Sequence, residues 1–222
     1  MLIWKCLAGA DSRTSQELAL PDRFITQSAV FESPDLPLEC LALLPSGQGS
    51  LGLITDINTH SGLSENQGIG LFLNDPFLNI TQVANLLETH KIDWITNLPS
   101  IAQHEESFRR DLYDVGISME TELARLAEFR QQGVRTLAAI STLKHAAMLD
   151  RHPADAVVVL QTTAELQVSF PSFATRKPRY LEIRKFLHQH NDNAYVLPIL
   201  STSETAQFRE AALLRPVMLE SV

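Results

Sequence analysis

Residues 97–118 read NLPSIAQHEESFRRDLYDVGIS and begin at the last two residues of the strand-like run DWITNL. Within that stretch stand an amide (Asn97), a hydroxyl (Ser100), an imidazole (His104), a guanidinium (Arg109) and a carboxylate (Asp114). An imidazole takes and gives protons near neutral pH, so His104 is a candidate general base. A guanidinium fork matches carboxylate or phosphate with two parallel hydrogen bonds. Arg109 therefore has two readings, an anion clamp or an ion pair to Glu105 or Glu106 at helical spacing.

Two other stretches carry chemistry of the same kind. In NDPF at 74–77, Asp75 is either a hard-cation ligand, with Mg²⁺ the natural ion, or a turn residue bonding nearby backbone N–H groups. In SGQGS, Ser46, Gly47, Gly49 and Ser50 form either a tight turn or a backbone cradle for an anion. The latter lacks the Lys-Ser/Thr of a phosphate loop and the spacing of a dinucleotide fingerprint. The seven histidines show no His-Glu-x-x-His pattern, and no Gly-x-Ser-x-Gly is legible.

The elements that must position these groups follow from hydrophobic patterning. Apolar runs at LIWKCLA, LECLALLP (38–45), IGLFL (69–73), DWITNL (93–98), RTLAAIS (135–141), AVVVLQ (156–161) and AYVLPILS (194–201) read as strands buried on both faces. Between them, ITQVANLLETH, SMETELARLAEFRQQ, LKHAAMLDR, RYLEIRKFLHQH and SETAQFREAALL read as helices. In the second of these, Met119, Leu123, Leu126 and Phe129 turn inward while Glu122, Arg125 and Arg130 stay wet, with Ser118 the N-cap and Gly133 the stop. The alternation predicts one α/β domain over 1–222, a (βα) barrel with a parallel sheet. Ligands of such folds sit beyond the carboxyl ends of the strands. The residues there (NDPF, NLPS, Ser141–Thr142, QTT, STS) are mostly hydroxyls and amides, suited to a small polar or phosphorylated ligand and poorly equipped for proton transfer.

A chain of 222 residues with formal charge -8 has no basic surface for nucleic acid. Its opening run is too short to cross a bilayer, so a soluble, cytoplasmic protein is expected. Cys6 and Cys40 read as buried free thiols.

In order and spacing, DPF at 75–77, NLPS at 97–100, FRRDLYDVGIS at 108–118, the helix with Glu122, Leu123 and Ala124, and GQGSLGL at 47–53 resemble the phosphoenolpyruvate hydrolase-like family of barrel proteins, akin to the phosphoenolpyruvate mutase and isocitrate lyase group. The resemblance implies that 97–118 is a lid-like loop over the barrel mouth, with Asn97 and Ser100 as ligand donors, Arg109 as clamp and Asp114 as the remaining acid. It also implies a Mg²⁺-assisted hydrolase or lyase acting on a small phosphorylated or 2-oxo acid. The chain departs from the family pattern where SIAQHEES replaces a glycine-rich loop, and where Leu160 and Ile199 stand in two histidine positions. Those losses point to the other reading, a barrel without chemistry that binds a ligand or a protein. The pattern leaves an eighth strand open: either RFITQSAVF supplies it, or a second copy of the chain covers the open edge.

Overall fold

The computed structural model describes residues 2–7, 20–26, 67–166, 171–191, 194–200, 204, 212–214 and 217–218. LECLALLP, SGQGS and the STS at 201–203 lie outside the described residues, as do Ser46, Gly47, Gly49 and Ser50.

Seven strands run side by side in chain order: β2 (Arg23–Thr26), β3 (Gln67–Gly70), β4 (Trp94–Thr96), β5 (Arg135–Ile140), β6 (Ala156–Val159), β7 (Tyr195–Leu200) and β8 (Ala212–Leu214). Every pairing from β2 to β8 is parallel. β1 (Leu2–Leu7) is antiparallel to β2 on one edge and to β8 and the short β9 (Val217–Met218) on the other, so the sheet closes on itself. RFIT is thus a barrel strand, and the chain's own first strand, not a second copy, seals the edge. Among the described residues, closure leaves no strand of this sheet without a neighbour on either side. The parallel sheet expected from the sequence has this one antiparallel member.

Strand β4 shows how side-chain size sets the register. Phe24, Gly68, Trp94 and Arg135 are cross-strand partners in one row. A Cβ on Gly68 would collide with the Phe24 ring, which lies over the glycine and meets Trp94 edge-on at 6.5 Å. Arg135 completes the row with its guanidinium 5.9 Å from the Trp94 ring. In the next inward row, Gly70 sits where any Cβ would overlap Thr26 Cγ2 and the Leu98 carbonyl.

The helices are α1 (Ile80–Thr89), α2 (Glu106–Asp114), α3 (Met119–Gln131), α4 (Leu143–Met148), α5 (Thr163–Leu166) and α6 (Phe173–His190). Each of α1, α3, α4 and α6 starts at a side-chain cap, Asn79, Ser118, Thr142 and Ser172 each accepting a first-turn N–H, and Ser118 is the cap expected from the sequence. α3 packs on β4 and β5 and against α1, while α4 packs against α6. Leu123, Leu126 and Phe129 are fully buried, each burial worth about 1.5–3 kcal/mol of transfer free energy. α6 begins well before RYLEIRKFLHQH because Ser172 supplies the cap, and it carries Pro178 inside its first turns. One expectation fails here: the ALL of SETAQFREAALL is strand β8 rather than helix, since Leu213 and Leu214 pair with β7.

Candidate functional site

The carboxyl ends of β3 and β4 are tied by a side chain from α3. Glu122 has no exposed surface. Its Oε1 accepts from Asn74 Nδ2 and Ile101 N, both at 3.0 Å. Its Oε2 accepts from Asn97 Nδ2 at 2.9 Å and Ser100 Oγ at 2.7 Å. The expectation that Glu122 stays wet is therefore overturned. The signal was present in the sequence: Met119, Glu122, Leu126 and Phe129 fall on one helical stripe, and the other three are apolar and buried.

Each partner of Glu122 is itself fixed. β4 stops pairing β5 at Thr96, but the Asn97 side chain continues the ladder, its Oδ1 accepting from Ala139 N at 2.7 Å and its Nδ2 donating to Ala139 O at 3.1 Å. Ser100 caps the 3₁₀ turn Ile101–Gln103 by accepting from Ala102 N. Asn74 Oδ1 accepts from Ser118 N at the start of α3. Arg125, one turn further along, donates to the carbonyls of Leu73 and Asp75. The carboxylate thus meets four donors, the arrangement a buried charge requires. Burial nonetheless outweighs them and pushes its pKa up to about 7.

The 3₁₀ turn reaches across neighbouring strand ends. Ser141, following β5, donates through Oγ to Ala102 O. Gln103 Nε2 reaches Gln161 O, following β6, at 3.4 Å. Arg109 holds the turn from the other side, donating through Nη1 to His104 O at 2.8 Å and pairing through Nη2 with Glu106 at 2.6 Å. The lid-like stretch is accordingly a buried turn followed by α2, a helix with no buried residue.

Two histidines flank this turn. His104 and His145 are both buried, and desolvation, followed by the charge of Arg109, lowers each pKa to about 4. Both rings are neutral at physiological pH. His145 Nδ1 lies 3.4 Å from Ser141 N. His104 stacks edge-on with the half-exposed Phe108 at 5.3 Å. His104 Nε2 and Thr96 Oγ1 are fully buried atoms with no hydrogen-bond partner. A buried polar atom left unpaired costs about 1–3 kcal/mol, which a ligand or water that supplied the bond would recover.

The remaining candidates lie apart. Asp75 accepts from Phe77 N at 2.9 Å, the turn bond that one of its two readings expects, and leaves its second oxygen uncommitted. Asp114 is exposed at the end of α2. The structure therefore gathers Asn97 and Ser100 around Glu122, sets Arg109 against the His104 backbone, and leaves Asp114 in solvent. Leu160 and Ile199 are core residues. Among the described residues no group of three or more His, Cys, Asp or Glu gathers as a metal site, and no helix is long and apolar enough to cross a membrane.

Strand order, parallel pairing and closure define an α/β barrel of the TIM type, with the buried network at its carboxyl end. No family model matches the chain, and no curated protein matches it. Among solved structures it is similar to FabK from Thermotoga maritima, at TM-score 0.45 and 11% identity over 91% of this chain and 60% of that one. It is also similar to a native KDPGal structure, at TM-score 0.36 and 11% identity over 86% of this chain and 64% of that one. The chain spans less than two thirds of the length of either.

Proposed function

We propose that this protein is a barrel that binds a small phosphorylated or 2-oxo acid at the carboxyl end of its strands and does not turn it over. One observation carries the reading. Asn97 and Ser100, with Asn74 beside them, spend their donors on Glu122, so the two groups that the resemblance to the phosphoenolpyruvate hydrolase-like family assigns to a ligand serve the scaffold instead. The leucine and isoleucine standing in the two histidine positions support it further, because neither side chain carries a proton. Asp75 offers Mg²⁺ a single carboxylate with one oxygen already engaged, which does not fit a protein-built metal site, and no step is routed through the ion.

The binding contacts fall to Arg109, whose Nε is uncommitted among the described residues, and to His104 Nε2. A second reading, an enzyme on the same ligand class, is favoured by His104 itself: a neutral buried imidazole with one open nitrogen is a form able to accept a proton.

The test is thermal stabilisation by phosphoenolpyruvate and a series of 2-oxo acids, with and without Mg²⁺, because a ligand that binds only the native state raises the melting temperature. Binding predicts a concentration-dependent rise that Arg109→Ala removes, without release of phosphate or pyruvate. Turnover would replace this reading with the enzymatic one, and a flat response across the series would sink both.

A further inference from the structure

On the outer wall of the barrel, α3 and the turn that follows α4 enclose a cleft of about 340 Å³. It lies on the helix face away from Glu122 and is independent of the mouth. Ala124 and Ala127, both half-buried, form its floor, and Arg130, Arg151, His152 and Glu128 stand around it. A volume of this size is at the small end of the range of ligand pockets.

The hydrogen-bond ledger of the cleft is unbalanced. Asp155 is saturated: Oδ1 takes Arg130 Nε at 2.8 Å, and Oδ2 takes Thr136 N and Oγ1 at 2.8 and 3.0 Å. Glu120 is engaged through both oxygens, by His152 Nε2 at 2.8 Å and Arg151 Nη2 at 3.2 Å. Each guanidinium carries five donors, and each spends a single nitrogen on these carboxylates. Arg130 and Arg151 are thus each held by a carboxylate outside the cleft's lining, with donors to spare, while the Glu128 carboxylate in the lining has no bond among the described residues. Two anchored forks lining one cleft with two alanine methyls match a carboxylate attached to a compact apolar body, whose oxygens the forks would take and whose carbon the methyls would take.

The geometry points to a second ligand site in this cleft, specific for small carboxylates that bear a short apolar group. The probe is isobutyrate, with acetate, isobutyramide and inorganic phosphate as comparators, read by amide chemical shifts of Ala124, Ala127 and His152 in the full chain. Isobutyrate is expected to give saturable shifts, acetate to bind at least tenfold more weakly, and isobutyramide to give none. Arg151→Ala should weaken isobutyrate at least tenfold. Because Arg130→Ala also strips Asp155 of an ion pair, Ala127→Leu is the cleaner partner variant: it fills the floor, leaves every charge in place, and should abolish the shifts in a folded protein. Shifts that fail to saturate, that isobutyramide or phosphate reproduces, or that survive both Arg151→Ala and Ala127→Leu would overturn the assignment.

Discussion

Replacing Glu122 with glutamine changes one oxygen for an NH₂ and nothing in shape, so it isolates the hydrogen-bond logic of the buried network. The glutamine carbonyl can take the place of Oε1 and keep Asn74 Nδ2 and Ile101 N. Its NH₂ then faces Ser100 Oγ and Asn97 Nδ2. Ser100 can accept by turning its own proton toward Met119 Sδ, 3.8 Å away. Asn97 cannot adapt, because Ala139 N and O fix both ends of its amide. Two donors are left facing one another, at about 1–3 kcal/mol each, for a loss of about 2–6 kcal/mol. The reverse placement is worse, since a backbone N–H cannot accept. Urea denaturation at pH 4.5 is the assay, because the folded wild-type carboxyl, with its pKa near 7, is protonated there and ionisation of the unfolded chain has removed little of its contribution, so the comparison is between two neutral groups. A loss under about 1 kcal/mol, on the scale of a single ordinary hydrogen bond, would refute the claim that these donors have nowhere else to turn.

The same carboxyl gives a pH signature. Its folded pKa is raised from the ordinary 4.5 to about 7, so the stability it contributes is complete below 4.5 and is lost as pH rises through about 7. The difference between wild type and Glu122→Gln should shrink by a few kcal/mol across that window; a difference constant with pH would place the titration elsewhere. The histidines act in the opposite sense. Lowered to about 4, His104 and His145 contribute stability present above 6.5 and lost as pH falls toward 4, and their imidazole NMR signals should still be those of neutral rings at pH 5.5. Midpoints near 6.5 would show that both rings are hydrated. Gly70→Ala should destabilise the fold by about 1–3 kcal/mol on thermal or urea unfolding, because the new methyl overlaps the Leu98 carbonyl, which is backbone, as well as Thr26. A neutral result would mean that the β4 loop shifts freely, contrary to its ties through Asn97 and Ser100.

Much of the architecture was legible because it depends on local periodicity. Runs such as RTLAAIS and AVVVLQ are apolar on both faces, and only a strand covered on both sides accommodates that. Ser118 marks the start of α3 because a cap is a contact between near neighbours in sequence. SETAQFREAALL misled for the same reason: its local pattern suits a helix, while the pairing of Leu213 and Leu214 with β7 comes from residues distant in the chain.

Local pattern along the chain suffices for the barrel's repeating units, the Ser118 cap of α3, and the choice of Asn97 and Ser100 as notable polar groups at a strand end. What those groups do is settled by packing between elements far apart in the chain. Whether Asn97 faces a ligand or a glutamate depends on where α3 lands, and that is set by packing of Leu123, Leu126 and Phe129 rather than by any motif around Asn97. Closure by β1 is likewise invisible locally, because a strand's partner and direction are fixed by the two edges it must satisfy at once, Arg23–Thr26 on one side and Ala212–Leu214 with Val217–Met218 on the other. Hydrophobic pattern is a property of neighbours along the chain, whereas the use of a donor is settled by whichever acceptor the fold brings to it.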